Sequence, residues 1–329
     1  MTDSVATGAS IDKARTVARR GRSSAGTLVA AIVLAFAIAT PAFAVGPSSR
    51  GEGRNANAEP QPPKGFEPGP PRHGRPQPPA DTEPGPPGAG EKITVPSALN
   101  LYRADGFRYQ DTNYSACTAA SAMDMLNFIR LGGTGGPGFR WTTSRTAARR
   151  DAILAWERTH DTLAGGQGSD PHGWRTALNW YGWGSAALSG TARVYEDYAY
   201  SSYARAVKAA VRSMIRYRKP VGIAAWRGRH AQMLTGYDGL RGDPFARNAA
   251  GAYTNTFTVS ALYLSDPLQA SAVVNRRIAY STLGSTTNTR IRFQPYYETD
   301  SPYDDPYTGG WVRARDEWYG RWVIVAARR

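Results

Sequence analysis

The chain of 329 residues contains one cysteine and only four histidines. A single cysteine cannot close a disulfide within the chain, which excludes a disulfide-stapled scaffold and a cysteine-rich zinc module. There is no His-Glu-x-x-His pair. Glu157, His160, Asp161, Asp170 and His172 are close in sequence but put no tight ligand pair on one helix face. A catalytic metal site needs three protein ligands, so no metal is expected. No Gly-x-Ser-x-Gly elbow supports a serine nucleophile. The glycines of 132–138 lack the lysine of a phosphate-binding loop and simply end a helix. Nothing in the chain calls for a cofactor. Long apolar runs are also scarce: the one that stands out is Ala25–Ala39.

That run has a clear context. Lys13, Arg15, Arg19, Arg20 and Arg22 precede it, and Thr40-Pro41-Ala42-Phe43-Ala44 follows it. A basic start, an apolar stretch and a small-x-small site make a secretory signal peptide over 1–44, cut after Ala44. The proline break and the Ala-x-Ala site argue against an uncleaved anchor, so no membrane span is expected after cleavage. Residues 45–92 hold 13 prolines and 9 glycines and read as an extended, disordered linker. The expected location is secreted or extracellular, with association to a cell surface compatible with a tether.

From Ile93 to Arg329 the composition is that of one globular domain, without a second Pro/Gly-rich break or an internal repeat. The formal charge of the chain is +14, of which +11 belongs to 93–329. Basic character on that scale favours an anionic surface as partner; export and the scatter of the arginines argue against nucleic acid. The ordinary alternative is a solvated, arginine-rich surface. Ala122, Met125, Leu126 and Ile129 recur at helical spacing, so Ala116–Leu131 is an expected helix stopped by Gly132-Gly133. Ser144 is positioned to cap a second helix reaching about Thr159. Asp170-Pro171 opens a third, and 202–218 carries a continuous apolar stripe. The period then changes. Val221–Trp226, Ala231–Tyr237, Phe257–Asp266 and Trp322–Ala326 read as strands, and 280–320 as loops rich in aromatics. Helices first and strands later predict an α+β fold with an antiparallel sheet.

Cys117 falls at the start of the first expected helix, where unpaired amides and the helix dipole favour an anion. A solitary thiol in an exported chain is exposed to oxidation, which hints at use; the alternative is a small apolar residue among alanines. His230 stands at the mouth of a strand, unlike His73 in the linker or His160 at a helix end. Asp266 ends the strand that follows and can orient the His230 imidazole. Gln110, seven residues before Cys117, can share an oxyanion with the Cys117 amide. Arg229 beside His230 can narrow a cleft or hold an acidic group of a substrate. Trp174 and His172, in the aromatic segment 170–184, can line its wall, although core packing is the alternative for Trp174.

These residues resemble the papain-like cysteine peptidases, nearest the branch that processes double-glycine leaders of bacteriocins. That branch has a Gln, then a Cys opening a helix, then a His starting an apolar strand with a Gly-aromatic turn, then a strand ending Asp-Pro. Gln110, Cys117, His230, Gly236-Tyr237 and Asp266-Pro267 follow that order. Thr118-Ala119 stands where the branch has Gly-Pro, and Arg229 where it has Gly. The resemblance implies a papain-like fold with the Cys-bearing helix packed on a C-terminal antiparallel sheet. It also implies a thiolate nucleophile at Cys117, His230 as acid and base, Asp266 as orienter and Gln110 in the oxyanion hole. The implied activity is cleavage of an amide bond in a peptide or cell-wall-type substrate without a cofactor. The rival expectation is a non-catalytic secreted surface protein that uses the aromatic loops of 296–322 to hold a polymer.

Overall fold

The computed structural model describes residues 82, 91–111, 113, 115–133, 146–161, 168–182, 194–285, 291–296 and 318–328, all within a single compact unit. Residues 1–44, expected to be a signal peptide, nearly all of the expected linker 45–92 and the aromatic stretch 297–317 lie outside the described residues.

The chain enters through the short strand β1 (Leu99–Asn100) and then builds three helices: α1 (Cys117–Gly132), α2 (Ala147–His160) and α3 (Pro171–Tyr181). In α1 every residue from Cys117 to Ile129 is buried, so it is a central helix rather than an amphipathic surface one. It ends at Gly133 in the left-handed region, where the amide bonds back to Ile129 and Arg130. The cap of α2 is Thr146, which accepts from the Arg149 amide. Asp170 caps α3 by accepting from the His172 and Gly173 amides, and Pro171 occupies the first turn, where its missing N–H costs nothing.

Strand β2 (Tyr195–Tyr200), helix α4 (Tyr203–Tyr217), β3 (Val221–Ala225), β4 (His230–Asp238), β5 (Ala261–Ser265), β6 (Arg276–Ala279), the single turn α5 (Tyr280–Leu283) and β7 (Trp322–Ala327) follow. The sheet is antiparallel throughout, in the order β2-β7-β3-β4-β5-β6. β1 pairs with the far half of β4, past the stretch that β3 covers. The fold is thus α+β, with helices packed against an antiparallel sheet.

Alternation along the strands sorts two cores. Ile223, Leu234, Ile324 and Ala326 face Val207, Val211 and Met214 of α4. Ala231, Met233, Val325 and Ala327 face α1 and α3, meeting Met125, Leu126 and Leu178. Each fully buried large aliphatic side chain contributes about 1.5–3 kcal/mol. Gly222 on β3 lets Trp174 of α3 approach the sheet closely, since a Cβ there would overlap the indole ring.

The expected helices recur with ends shifted by a residue or two. The strand expected at Phe257–Asp266 begins only at Ala261, because Thr258 instead bridges to Arg241 in a preceding loop. β1, β2 and β6 were not anticipated, and 280–320 is not loop throughout, since α5 lies in it. Among the described residues no helix is long and apolar enough to cross a membrane.

Candidate active site

Cys117 is the first residue of α1 and is 8% exposed. The residue before it, Ala116, offers no side-chain cap, so no cap competes for the amides of this first turn. Thr118 ties the turn to α2 instead, donating from Oγ1 to Glu157 Oε2 at 2.6 Å. Farther along α1, Ser121 Oγ donates to the Ala231 carbonyl at 3.4 Å, which fixes the helix against the strand that carries the histidine.

His230 is the first residue of β4. A tight hairpin delivers it there: Ala225 pairs with His230, and Trp226, Arg227 and Gly228 all adopt positive φ. Left-handed backbone at Trp226 and Arg227 costs about 1 kcal/mol or more each, the kind of strain that clusters at functional sites. The turn folds the Trp226 ring over the His230 imidazole, with centroids 4.3 Å apart.

Asp266 follows β5, whose register sets Ser265 opposite Met233. Its carboxylate therefore reaches back along β4. Oδ1 takes His230 Nε2 at 2.7 Å and the Leu268 amide at 2.8 Å, and Oδ2 takes Gln232 Nε2 at 2.7 Å. With Nε2 engaged by Asp266, Nδ1 is the ring nitrogen left for Cys117, which lies near enough to raise the His230 pKa. Burial alone would push the imidazole below its usual range. The Asp266 charge and hydrogen bond, followed by the contact with Cys117, outweigh it and hold the His230 pKa at about 10.

Gln110 is buried at the approach to α1. Its amide nitrogen donates to the Pro267 carbonyl at 2.8 Å, and its side-chain Nε2 donates to the Asn113 carbonyl at 3.3 Å. Arg150 of α2 holds the Gln110 carbonyl at 2.6 Å. Gln110 therefore bridges the Asp266-Pro267 turn and the segment that leads into Cys117. Arg229 is partly exposed beside the site, its Nε donating to the Trp226 carbonyl at 3.2 Å.

Two of the expected wall residues sit elsewhere. Trp174 is 1% exposed and packs on Gly222, so it belongs to the core between α3 and the sheet, not to a cleft. His172 is buried against the Arg175 guanidinium, which bridges on to Glu196 and to Asp197 at 2.7 Å; it is part of a buried ionic network joining α3 to β2. His160 turns its Nδ1 to the Trp156 carbonyl at 2.7 Å and stacks on that indole. Among the described residues no group of three His, Cys, Asp or Glu is arranged to hold a metal ion.

The sequence reading missed four contributors. Gln232 lies two residues after His230 on the same strand face, a period-2 signal that could have found it. The stacking of Trp226 on His230 depends on the hairpin geometry. Glu157 and Tyr296 come to the surroundings of Cys117 from distant segments, and both feel its charge. Comparison with protein-family models, with curated proteins and with solved structures found no match.

Proposed function

We propose that this chain is an exported thiol hydrolase of papain-like architecture that cleaves an amide bond in a peptide or cell-wall-type substrate. One observation carries the reading: a cysteine at an uncapped helix N-terminus lies near a histidine whose Nε2 is held by a buried aspartate. These are the residue types of a nucleophile, an acid–base and an orienter.

In this mechanism Cys117 Sγ attacks the amide carbon as His230 carries the proton. The negative charge that develops on the carbonyl oxygen is met by the amides of the first turn of α1, with the Gln110 side chain at its edge. As the C–N bond breaks, His230 passes its proton to the leaving amine. The thioester left on Cys117 is then attacked by water, which gives its proton to His230, and the acid leaves with the thiol restored. Asp266 keeps Nε2 occupied throughout, so that the working nitrogen faces the sulfur. No step calls on a cofactor. The order Gln110, Cys117, His230, Asp266 supports the papain-like reading, as does the contact of the Cys-bearing helix with the strand that starts at His230.

The test is hydrolysis of a panel of peptides and peptidoglycan fragments by wild type and by Cys117→Ala. The expected result is amide cleavage that disappears with the thiol. Cleavage that survives Cys117→Ala contradicts the proposal.

A further inference from the structure

Gln232 stands where a sheet ordinarily places an aliphatic side chain. It lies in β4, a strand flanked by β3 and β5, opposite Ile223, and it is fully buried. Leu234, the next residue on that strand face, belongs to the apolar core. A primary amide taken out of water is costly unless its groups are bonded, so one in the middle of a sheet calls for a task. Its Nε2 donates to Asp266 Oδ2 at 2.7 Å, and both residues are 0% exposed.

Asp266 is held from several sides. Its backbone amide donates to the Val273 carbonyl at 2.8 Å, which sets the main chain. Oδ1 accepts from His230 Nε2 and from the Leu268 amide, the second closing a turn over two residues. Among the described residues Oδ2 has Gln232 Nε2 alone. The main chain is therefore fixed without Gln232, while the carboxylate is free to swing about its Cβ–Cγ bond unless Oδ2 is also held. His230 and Gln232, two residues apart on one strand face, present their donors to the two oxygens of one carboxylate. The plane of that carboxylate is thus set by the same strand that carries the imidazole.

We propose that Gln232 is a positioning residue of the relay: by holding Asp266 Oδ2 it aims Oδ1 at His230 Nε2 and so fixes the imidazole that serves Cys117. The inference rests on the thiol-hydrolase reading and adds a fourth member to its relay. Groups of this kind work only when their supports hold them to within a few tenths of an ångström. Without the Gln232 amide, Oδ2 is a buried carboxylate oxygen with no donor. The carboxylate then turns to share its remaining donors or takes a proton, and in either case its hold on His230 loosens. The titratable groups that bear on the imidazole are Asp266 and Cys117, so a change at Asp266 reaches the sulfur through His230.

The experiment follows iodoacetamide alkylation against pH in wild type, Gln232→Met and Gln232→Glu, each with His230 intact and as His230→Ala, with folding checked by urea unfolding. Cys117 is the one cysteine of the chain, so the rate reports on it alone. Gln232→Met keeps the bulk and removes the donor; alkylation should slow on the order of tenfold, the weight of one hydrogen bond to a charged group, and change its pH profile. The slowing should vanish in His230→Ala, because a residue that acts through the imidazole then has nothing to act on. Gln232→Glu still donates while its carboxyl holds a proton. It should match wild type in mildly acidic solution and fall toward the Gln232→Met rate as that proton leaves. A wild-type profile in Gln232→Met, or a slowing that persists in His230→Ala, overturns the proposal. If Gln232→Met does not fold, Gln232→Glu decides alone, and a constant ratio to wild type at every pH overturns it. Alkylation that depends on His230 but not on Gln232 leaves the hydrolase reading standing without this inference; wild-type alkylation indifferent to His230 overturns both.

Discussion

Asp266→Asn retains the shape of a side chain whose oxygens accept from three buried donors, His230 Nε2, Gln232 Nε2 and the Leu268 amide. An amide offers one acceptor oxygen, so at least one donor must face the new NH2 group. A buried donor left without its acceptor costs about 1–3 kcal/mol, and charged partners raise the figure. With the charge pairing to His230 lost as well, the expected destabilisation is about 2–4 kcal/mol. For a domain of this size each kcal/mol lowers the melting temperature by about 2–4 °C, so the expected shift is roughly 4–16 °C. Urea unfolding should show a lower midpoint with an unchanged slope. The same substitution removes the main influence holding His230 near pKa 10, and burial then pulls the imidazole down. Alkylation of Cys117 should therefore slow, and its dependence on pH should change shape. A variant as stable as wild type, with the same alkylation profile, would refute the idea that Asp266 both anchors and charges His230.

Stability should fall as pH rises. His230 holds its proton up to about 10 in the folded state against the ordinary 6.5, so that contribution is complete below about 6.5 and is lost toward 10. Asp161, raised from 3.8 to about 9, adds a slope of the same sign between those values, because the folded state keeps a proton the unfolded chain has released. Urea midpoints measured from mildly acidic to alkaline pH should decline, and Asp161→Asn should flatten the decline; a flat or rising wild-type curve contradicts both assignments. Gly222→Ala should destabilise by roughly 1–3 kcal/mol, since the added methyl collides with the Trp174 ring, and a change within experimental error in thermal unfolding would contradict that packing.

Local signals carried much of the reading. The stripe of α4 with its Ser202 cap, and the Asp170-Pro171 start of α3, are written in adjacent residues and recur within a residue or two. β2 escaped because all six of its residues are buried, so Glu196 and Asp197 break any two-residue alternation; Arg175 and Arg328 pair with them. β6 opens with exposed Arg276 and Arg277 at the sheet edge, where no apolar face is required. At the site, Cys117, His230 and Asp266 were legible because each terminates an element, and the register of β4 with β5 brings the two strand ends together. Trp174 misled because an aromatic-rich segment has the same composition whether it lines a cleft or a core. Only the missing Cβ of Gly222 across the sheet decides between them.

The account depends most on the pairing of Cys117 with His230, and the pH dependence of iodoacetamide alkylation in wild type and His230→Ala tests it directly. Cys117 should be alkylated in the folded chain, and the alkylation should slow markedly and change its pH profile when the imidazole is removed. Alkylation only on unfolding, or at a rate indifferent to His230, would make Cys117 a core residue and contradict the central claim.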